Sequence, residues 1–416
     1  MIQRTIALFT TILLASSTLT AQENLTVMFY NMLKFPTTTP DRADTLANII
    51  AYTQPDIFIV SELQSAFGAS LLLNNGLNAN GITHYSKAVF QDANGMDTDN
   101  LLFYNNQKIG LIEQNNINTN LRAISEYIVY YKDPNLAITH DTTYIYLYGC
   151  HLKAGGNADN NSTEAGMRAS EVMSLKNYLT NHNRTRNIIV GGDMNMYKST
   201  EDAYVNMTTG GTINLFDPIG QAGNWHNSYS YRNVHTQSTR AVGATTYGGG
   251  STGGLDDRFD MIFVSNDVMN GSQGVKYVTN SYKAVGQDGN HFNASVNSGT
   301  NSSVPQDVAQ SLFYMSDHLP VLLKVSVGGP VSVQEIENTI ETFTFNSESK
   351  MLNIYLSELH KDIDLTIYNT AGQIVYNKQY QQTNAITDYL SNLTSGMYIV
   401  TLVADGIPVS AKILVY

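Results

Sequence analysis

A single cysteine in 416 residues, Cys150, leaves no intramolecular disulfide and excludes a disulfide-stapled fold. Charge is also scarce: charged residues are 14% of the chain, against the usual quarter, and Asn, Thr, Gly, Ser and Tyr stand in their place. Basic residues are the rarer sign, 23 Lys plus Arg against 35 Asp plus Glu, for a net charge of −12. No broad positive surface therefore draws polyanions to the whole molecule, which argues against a general nucleic-acid coat protein. A nuclease stays open, because one basic groove and a bound cation act locally. Beyond residue 21 nothing approaches the roughly 18 uninterrupted apolar residues of a membrane-spanning helix. The chain has no Gly-x-Ser-x-Gly elbow, no Walker loop and no Cys/His zinc spacing.

What is present divides along the chain. Residues 1–21 carry Arg4, an apolar run over 6–15 and a small polar stretch over 16–21, the three-part layout of a cleaved secretory signal, so export is expected. Residues 22–328 alternate short apolar runs with amphipathic stretches. Strands are expected at 25–30, 56–60, 101–104, 126–131, 144–149, 187–190, 258–264 and 320–327, and helices at 41–52 and 164–179. The fold class is therefore α/β layered (α+β). Segments 217–254 and 266–304 are rich in Gly, Asn, Ser and Thr and read as long surface loops. Gly328-Gly329-Pro330 opens a linker, 329–340, and residues 341–416 read as a small all-β sandwich of short strands at 343–345, 351–356, 364–368, 373–376, 397–403 and 411–415, with turns at Asn369-Thr370-Ala371-Gly372 and Asp405-Gly406.

Polar residues recur where the expected strands end. Asn31, Glu62, His151, and Asp193 with Asn195 each follow an apolar strand; Asp260 lies inside one; Asp317 and His318 precede one. Singly each has a bland explanation as a cap, a turn or a satisfied buried group. Together they would impose repeated desolvation costs without a shared purpose, so they are read as one site. Carboxylate and amide oxygens without a cysteine cluster suit a hard cation, Mg²⁺ or Mn²⁺, with Ca²⁺ as a further candidate. Such a cation acts best on a phosphoryl oxygen, and a histidine held by a carboxylate can deprotonate water near neutral pH.

Tyr30-Asn31, Glu62, His151-Leu152, Gly192-Asp193-Met194-Asn195, Phe259-Asp260 and Ser316-Asp317-His318-Leu319-Pro320-Val321 resemble, in order and spacing, the endonuclease/exonuclease/phosphatase superfamily. The resemblance implies a four-layer α-β-β-α sandwich with two mostly antiparallel sheets and metal-dependent phosphoester hydrolysis. It implies that Glu62, Asn31 and Asp317 hold the cation and that His318, oriented by Asp260, activates water. It also implies that Asp193 positions water or moves a proton, and that Asn195 and His151 bind the scissile phosphate. In the branch resembling deoxyribonuclease I, Asp99 would support His151 and Arg122 would match a substrate-binding arginine. The strings Leu365-Thr-Ile-Tyr-Asn-Thr-Ala-Gly-Gln-Ile-Val375 and Leu393-Thr-Ser-Gly-Met-Tyr-Ile-Val400 resemble the type IX secretion sorting domain. This implies passage through that machinery to the cell surface or medium.

The substrate is sought in the loops. Trp225, Tyr229, Tyr231 and Arg232, with His226, His235 and Arg240, combine stacking faces with positive groups, which suits nucleic acid as substrate. A sphingomyelinase-like or phospholipase-C-like enzyme is the alternative, but no membrane-inserting apolar hairpin is visible. A non-enzymatic surface binding protein is the other alternative, and the complete residue set argues against it. A monomer is expected.

Overall fold

Apolar side chains alternate along the strands with two separate destinations, and this alternation sets the layers. The computed structural model of the chain describes residues 22–37, 39–93, 95, 98–134, 136, 142–156, 162–243, 247–328, 340–347, 349–404 and 407–415. The expected signal 1–21, the linker over 329–339 and the Asp405-Gly406 turn lie outside these; Ile340, expected to end the linker, already opens a strand. Two compact units are formed, 1–331 and 332–416.

In the first unit the order is β1 (Glu23–Phe35), α1 (Arg42–Thr53), β2 (Ile57–Leu63), α2 (Ala66–Leu71), β3 (Tyr85–Lys87), β4 (Asp99–Asn105), β5 (Ile109–Ile117), β6 (Ile124–Tyr131) and β7 (Tyr144–His151). There follow α3 (Thr163–Asn181), β8 (Ile188–Asp193), α4 (Asp202–Thr209), β9 (Leu215–Phe216), β10 (Asp260–Ser265), α5 (Asn266–Asn270), β11 (Val275–Tyr277), β12 (Lys283–Ala284), α6 (Gln306–Met315) and β13 (Val321–Val327). One sheet runs β11-β13-β1-β2-β4-β3, with β12 also on β13; the other runs β5-β6-β7-β8-β10-β9. Only β1–β2 and β7–β8 are parallel pairs. The sheets face each other: Ile145, Leu147, Ile189, Ile262 and Val264 of the second join the core of the first, while their neighbours Tyr148, Val190, Met261 and Phe263 point outward. That outer face is covered by α3 through Val172, Leu175 and Leu179, whose spacing puts them on one helical stripe. On the first sheet α1 and α6 do the same with Leu46, Ile49, Ile50, Val308 and Leu312. The result is four layers, α-β-β-α.

Two elements escape a periodicity reading. β5 is an edge strand whose Glu113, Gln114, Asn115 and Asn116 are solvated, so it lacks an apolar alternation. α6 follows Pro305 directly after the Asn- and Ser-rich segment that masks its start. Nor is that segment loose: Asp288 accepts from the N–H groups of Asn290 and Ser302. Asn301 donates to the carbonyls of Gly286 and Val296.

The second unit is all-β: β14 (Ile340–Asn346), β15 (Met351–Asn369), β16 (Ile374–Tyr389), β17 (Gly396–Ala404) and β18 (Ile407–Val415). The two strands expected at 351–356 and 364–368 are one, β15, with a register break between Tyr355 and His360. Its first half pairs with β14 and its second with β17, so one chain segment builds both ends of the core formed by Leu352, Ile354, Leu365, Ile367, Val400 and Leu402.

Candidate active site

Strand register assembles the site. His151, Asp193 and Asp260 are partners across β7, β8 and β10, so their side chains form a row on the face that also carries Leu147, Ile189 and Ile262. Asn31 continues the Val27, Phe29 series on the opposing sheet. The sheets approach closely because Gly191 and Gly149 have no side chain: a Cβ at Gly191 would lie 2.5 Å from the Phe29 ring, and one at Gly149 2.8 Å from Ile59. Glu62 falls on the other phase of β2. A left-handed backbone, φ 58°, at the break in β2–β4 pairing between Val60 and Leu63 redirects it, at a cost of roughly 1 kcal/mol for a residue with a Cβ.

The Asn31 amide nitrogen donates to Glu62 Oε1 and Asp193 Oδ2, both at 3.0 Å, and its Oδ1 accepts from the Leu33 N–H. The Lys34 N–H fixes Glu62 Oε2 at 2.9 Å. His151 Nε2 stands 3.6 Å from Glu62 Oε1 and 3.7 Å from Asp193 Oδ2. Donor atoms of Glu62, His151 and Asp193 all lie within 4.8 Å of one another. On the other side of Asp193, His318 Nδ1 pairs with Asp260 Oδ2 at 2.8 Å and His318 Nε2 lies 3.7 Å from Asp193 Oδ2. Ser316 donates through Oγ to the Asn31 carbonyl and accepts from the His318 N–H, joining the two halves. Asp317 Oδ2 accepts from the Ser251 N–H, while its buried Oδ1 has no hydrogen-bond partner among the described residues. The Glu62 and Asp193 oxygens that converge with His151 suit a hard divalent cation; Asp317, expected as a ligand, is not among the three residues that converge, although its orphaned oxygen is free to accept.

Burial raises the Asp193 carboxyl; the His318 charge opposes this and those of Asp260 and Glu62 add to it, leaving it near pH 7, at about 7. Burial also lowers His151 well below its ordinary value, aided by the Arg122 and His318 charges. For His318 burial alone would do the same, but Asp260, Asp193 and Asp317 outweigh it and hold it well above. Two buried imidazoles are thus pushed in opposite directions, His151 towards its neutral form and His318 towards its charged form.

Asn195, in the left-handed region, donates to the Leu152 carbonyl at 3.2 Å, and Arg122 Nη1 reaches the same oxygen at 2.9 Å. Asp99 sits opposite Leu63 and accepts from the Ala93 N–H. Trp225 corrects the sequence reading: it is fully buried, with Nε1 donating to the Gln221 carbonyl and its ring packed on Tyr204 and Arg258, so it offers no stacking face. The long loop is anchored to the outer core layer of the second sheet, where Trp225 joins Tyr204, Met207 and Phe263. His235 and Arg240 are likewise internal, holding backbone carbonyls. Tyr229 is 61% exposed with the Arg232 guanidinium 4.1 Å from its ring centre.

The sequence reading missed Gln237, whose Nε2 lies 2.6 Å from His318 Nε2, and Gly250, where a Cβ would meet the Asp317 carboxylate carbon at 2.7 Å. Within the 217–254 segment read as a surface loop, Arg240 grips the Gly249 carbonyl and Gly250 has φ 92°, a conformation that admits Asp317 at close range.

The family model described as "Endonuclease/Exonuclease/phosphatase family" matches residues 28–318. "Secretion system C-terminal sorting domain", the type IX sorting domain, matches residues 346–416 and marks the chain for export to the surface or medium. No helix among the described residues is long and apolar enough to cross a membrane. No curated protein matches. Among solved structures, TDP2 of D. rerio complexed with single strand DNA product is similar at 16% identity, covering 73% of this chain and 98% of that one, TM-score 0.46. An endonuclease/exonuclease/phosphatase family protein from Leptotrichia buccalis is similar at 18% identity, 72% and 99% coverage, TM-score 0.43. An endonuclease/exonuclease/phosphatase from Beutenbergia cavernae shares 14% identity over 94% and 100%, TM-score 0.40.

Proposed function

The chain belongs to the endonuclease/exonuclease/phosphatase family of phosphoesterases, and from that premise we propose that it is an exported, divalent-cation-dependent phosphodiesterase that cleaves DNA or RNA. The observation that carries this reading is the Asp260–His318 pair at 2.8 Å facing Asp193 and, beyond it, the Glu62–Asn31 cluster.

Glu62, Asn31 and Asp317 would hold Mg²⁺ or Mn²⁺, with Asp193 and His151 in reach. The cation would neutralise charge on the phosphoryl oxygens. The remaining chemistry belongs to the chain. His318, aligned by Asp260 through Nδ1, takes the proton of the attacking water at Nε2; Asp260 and Asp193 stabilise the imidazolium that results. The same carboxylates that raise His318 make its neutral form a strong base and favour its charged form at rest, so the rate should rise with pH as the ring loses its proton. His151 stays neutral and offers the phosphate an N–H, and Asn195 lies beside it on the shared Leu152 carbonyl turn. Gln237 Nε2 lies 2.6 Å from the same His318 Nε2, so this amide must give way for that nitrogen to take the proton. The exposed Tyr229 ring with its stacked Arg232 supports a nucleic-acid substrate, since base stacking tolerates any sequence. The secretory signal over 1–21 belongs to the same reading, as the first of two export steps.

The test is incubation of the purified chain with plasmid DNA, RNA and sphingomyelin in parallel, in Mg²⁺ or Mn²⁺, in EDTA, and with His318→Ala. Cleavage of DNA or RNA that both EDTA and the substitution abolish is expected. Cleavage of the lipid alone would refute the substrate; no cleavage of any phosphodiester would refute the enzyme.

A further inference from the structure

A cavity of about 1030 Å³ opens beside β12, at the upper end of the volumes that take single small ligands, roughly 300 to 1,000 Å³. Its walls join β12 and its flanks to Tyr52 at the end of α1, Asn233 in the Tyr229–Arg232 loop, and Lys324 on β13. Charge sets it apart. The chain carries 35 Asp plus Glu, yet none of them lines this cavity, whereas Lys283 and Lys324 do; hydroxyls and side-chain amides make up most of the rest. A neutral ligand gives no reason to exclude carboxylates, and an anion does. Both lysines are exposed, and neither enters an ion pair among the described residues. Lys324 is placed by its backbone, with Ser281 Oγ accepting its N–H and Val278 donating to its carbonyl.

Hydrogen bonds to backbone carbonyls tie the cavity wall to the segments that carry the catalytic groups. Gln287, on its wall, donates to the carbonyl of His235, next to the Thr236 hydroxyl that receives the Asp260 N–H. Val285, also on the wall, donates to the Pro320 carbonyl, two residues past His318. From there the cavity extends to Thr26, five residues back along β1 from Asn31 and on the opposite face of that strand, an axial separation of about 16 Å at the rise of an extended strand.

We infer that the cavity is a second binding site for the phosphodiester backbone of the polymer being cut, holding it several nucleotides from the scissile bond through Lys283 and Lys324. The inference rests on the nuclease reading and adds that short substrates are poor ones.

The experiment compares the full chain with its Lys283→Gln/Lys324→Gln variant. The probe is a fluorescent single strand of about 20 nucleotides, bound in EDTA over a range of salt, with affinity expected to fall about tenfold and the slope of log K against log salt to drop by about 1.4, or 0.7 for each lysine. Turnover of bis-p-nitrophenyl phosphate in Mg²⁺ should not change, and equal melting temperatures confirm that the variant folds. Unchanged affinity and slope overturn the second site. A wild-type chain that turns over bis-p-nitrophenyl phosphate but cuts no nucleic acid overturns the nuclease reading instead, a result visible without the variant.

Discussion

Glu171 on α3 is buried, with Oε2 accepting from the Lys153 N–H at 2.9 Å and Oε1 without a hydrogen-bond partner among the described residues. Burial pushes its carboxyl up to about 7, although the Lys153 N–H and the Arg122 and Arg168 charges pull the other way. The folded state therefore binds this proton more tightly than the unfolded chain does. By linkage the group favours folding below its ordinary pKa of 4.5, and that contribution is lost as pH rises from 4.5 through about 7. Glu171→Gln keeps an acceptor for Lys153 and removes the charge. The variant should melt at a higher temperature than the parent at pH 8 and at the same temperature below pH 4.5; a difference independent of pH would show that the carboxylate is not the strained group. Residues of this kind were not legible in the sequence, since a Glu on an amphipathic helix reads as solvated. Those at strand ends were. Asn31, His151, Asp193 and Asp260 announce themselves because an apolar strand fixes which face a polar residue must share, and the register then aligns them. Gln237 and Trp225 were not legible for the opposite reason: they sit in a 217–254 segment without periodicity, where no face is defined.

At the scale of the element, β8 shows how little space the site leaves. A Cβ on Gly191 meets the Phe29 ring, which is itself sealed in the core, while one on Gly192, at φ 132°, meets the Cys150 carbonyl oxygen at 2.0 Å. A ring can shift, but the backbone of a paired neighbouring strand cannot without breaking the ladder. Gly191→Ala should cost about 1 to 3 kcal/mol of stability, as overpacking does, and Gly192→Ala more, by urea unfolding. Equal and small losses would mean that the sheets are not held this closely. Elements themselves were legible where burial is one-sided, as in α1 and α3, whose apolar stripes mark the face they cover. β15 was divided in two by its polar middle, Ser357 to Lys361, where the register breaks and every residue but the buried His360 is exposed.

The whole molecule divides into two units, each with its own core: among the described residues the clusters built on β1–β13 run to Val327 and the third begins at Leu352. The division was legible from the change in composition at Gly328, because a strand-and-turn grammar replaces the α/β alternation there. Its thermodynamic consequence follows from the donor set. All the groups expected to hold a cation lie in the first unit, so a cation can bind the folded form of that unit alone and should stabilise it by mass action, about 2.7 kcal/mol at a hundred times its dissociation constant. Calorimetry of the full chain should then resolve two unfolding transitions, of which Mg²⁺ or Mn²⁺ raises one and leaves the other in place. A chain ending at residue 331 should keep the responsive transition and the phosphodiesterase rate. With Glu62→Gln the response to the cation should largely vanish while both transitions remain. If the cation raised both transitions equally, or the shortened chain lost its response, the two units would have to be treated as one folding body and the cation site as depending on both.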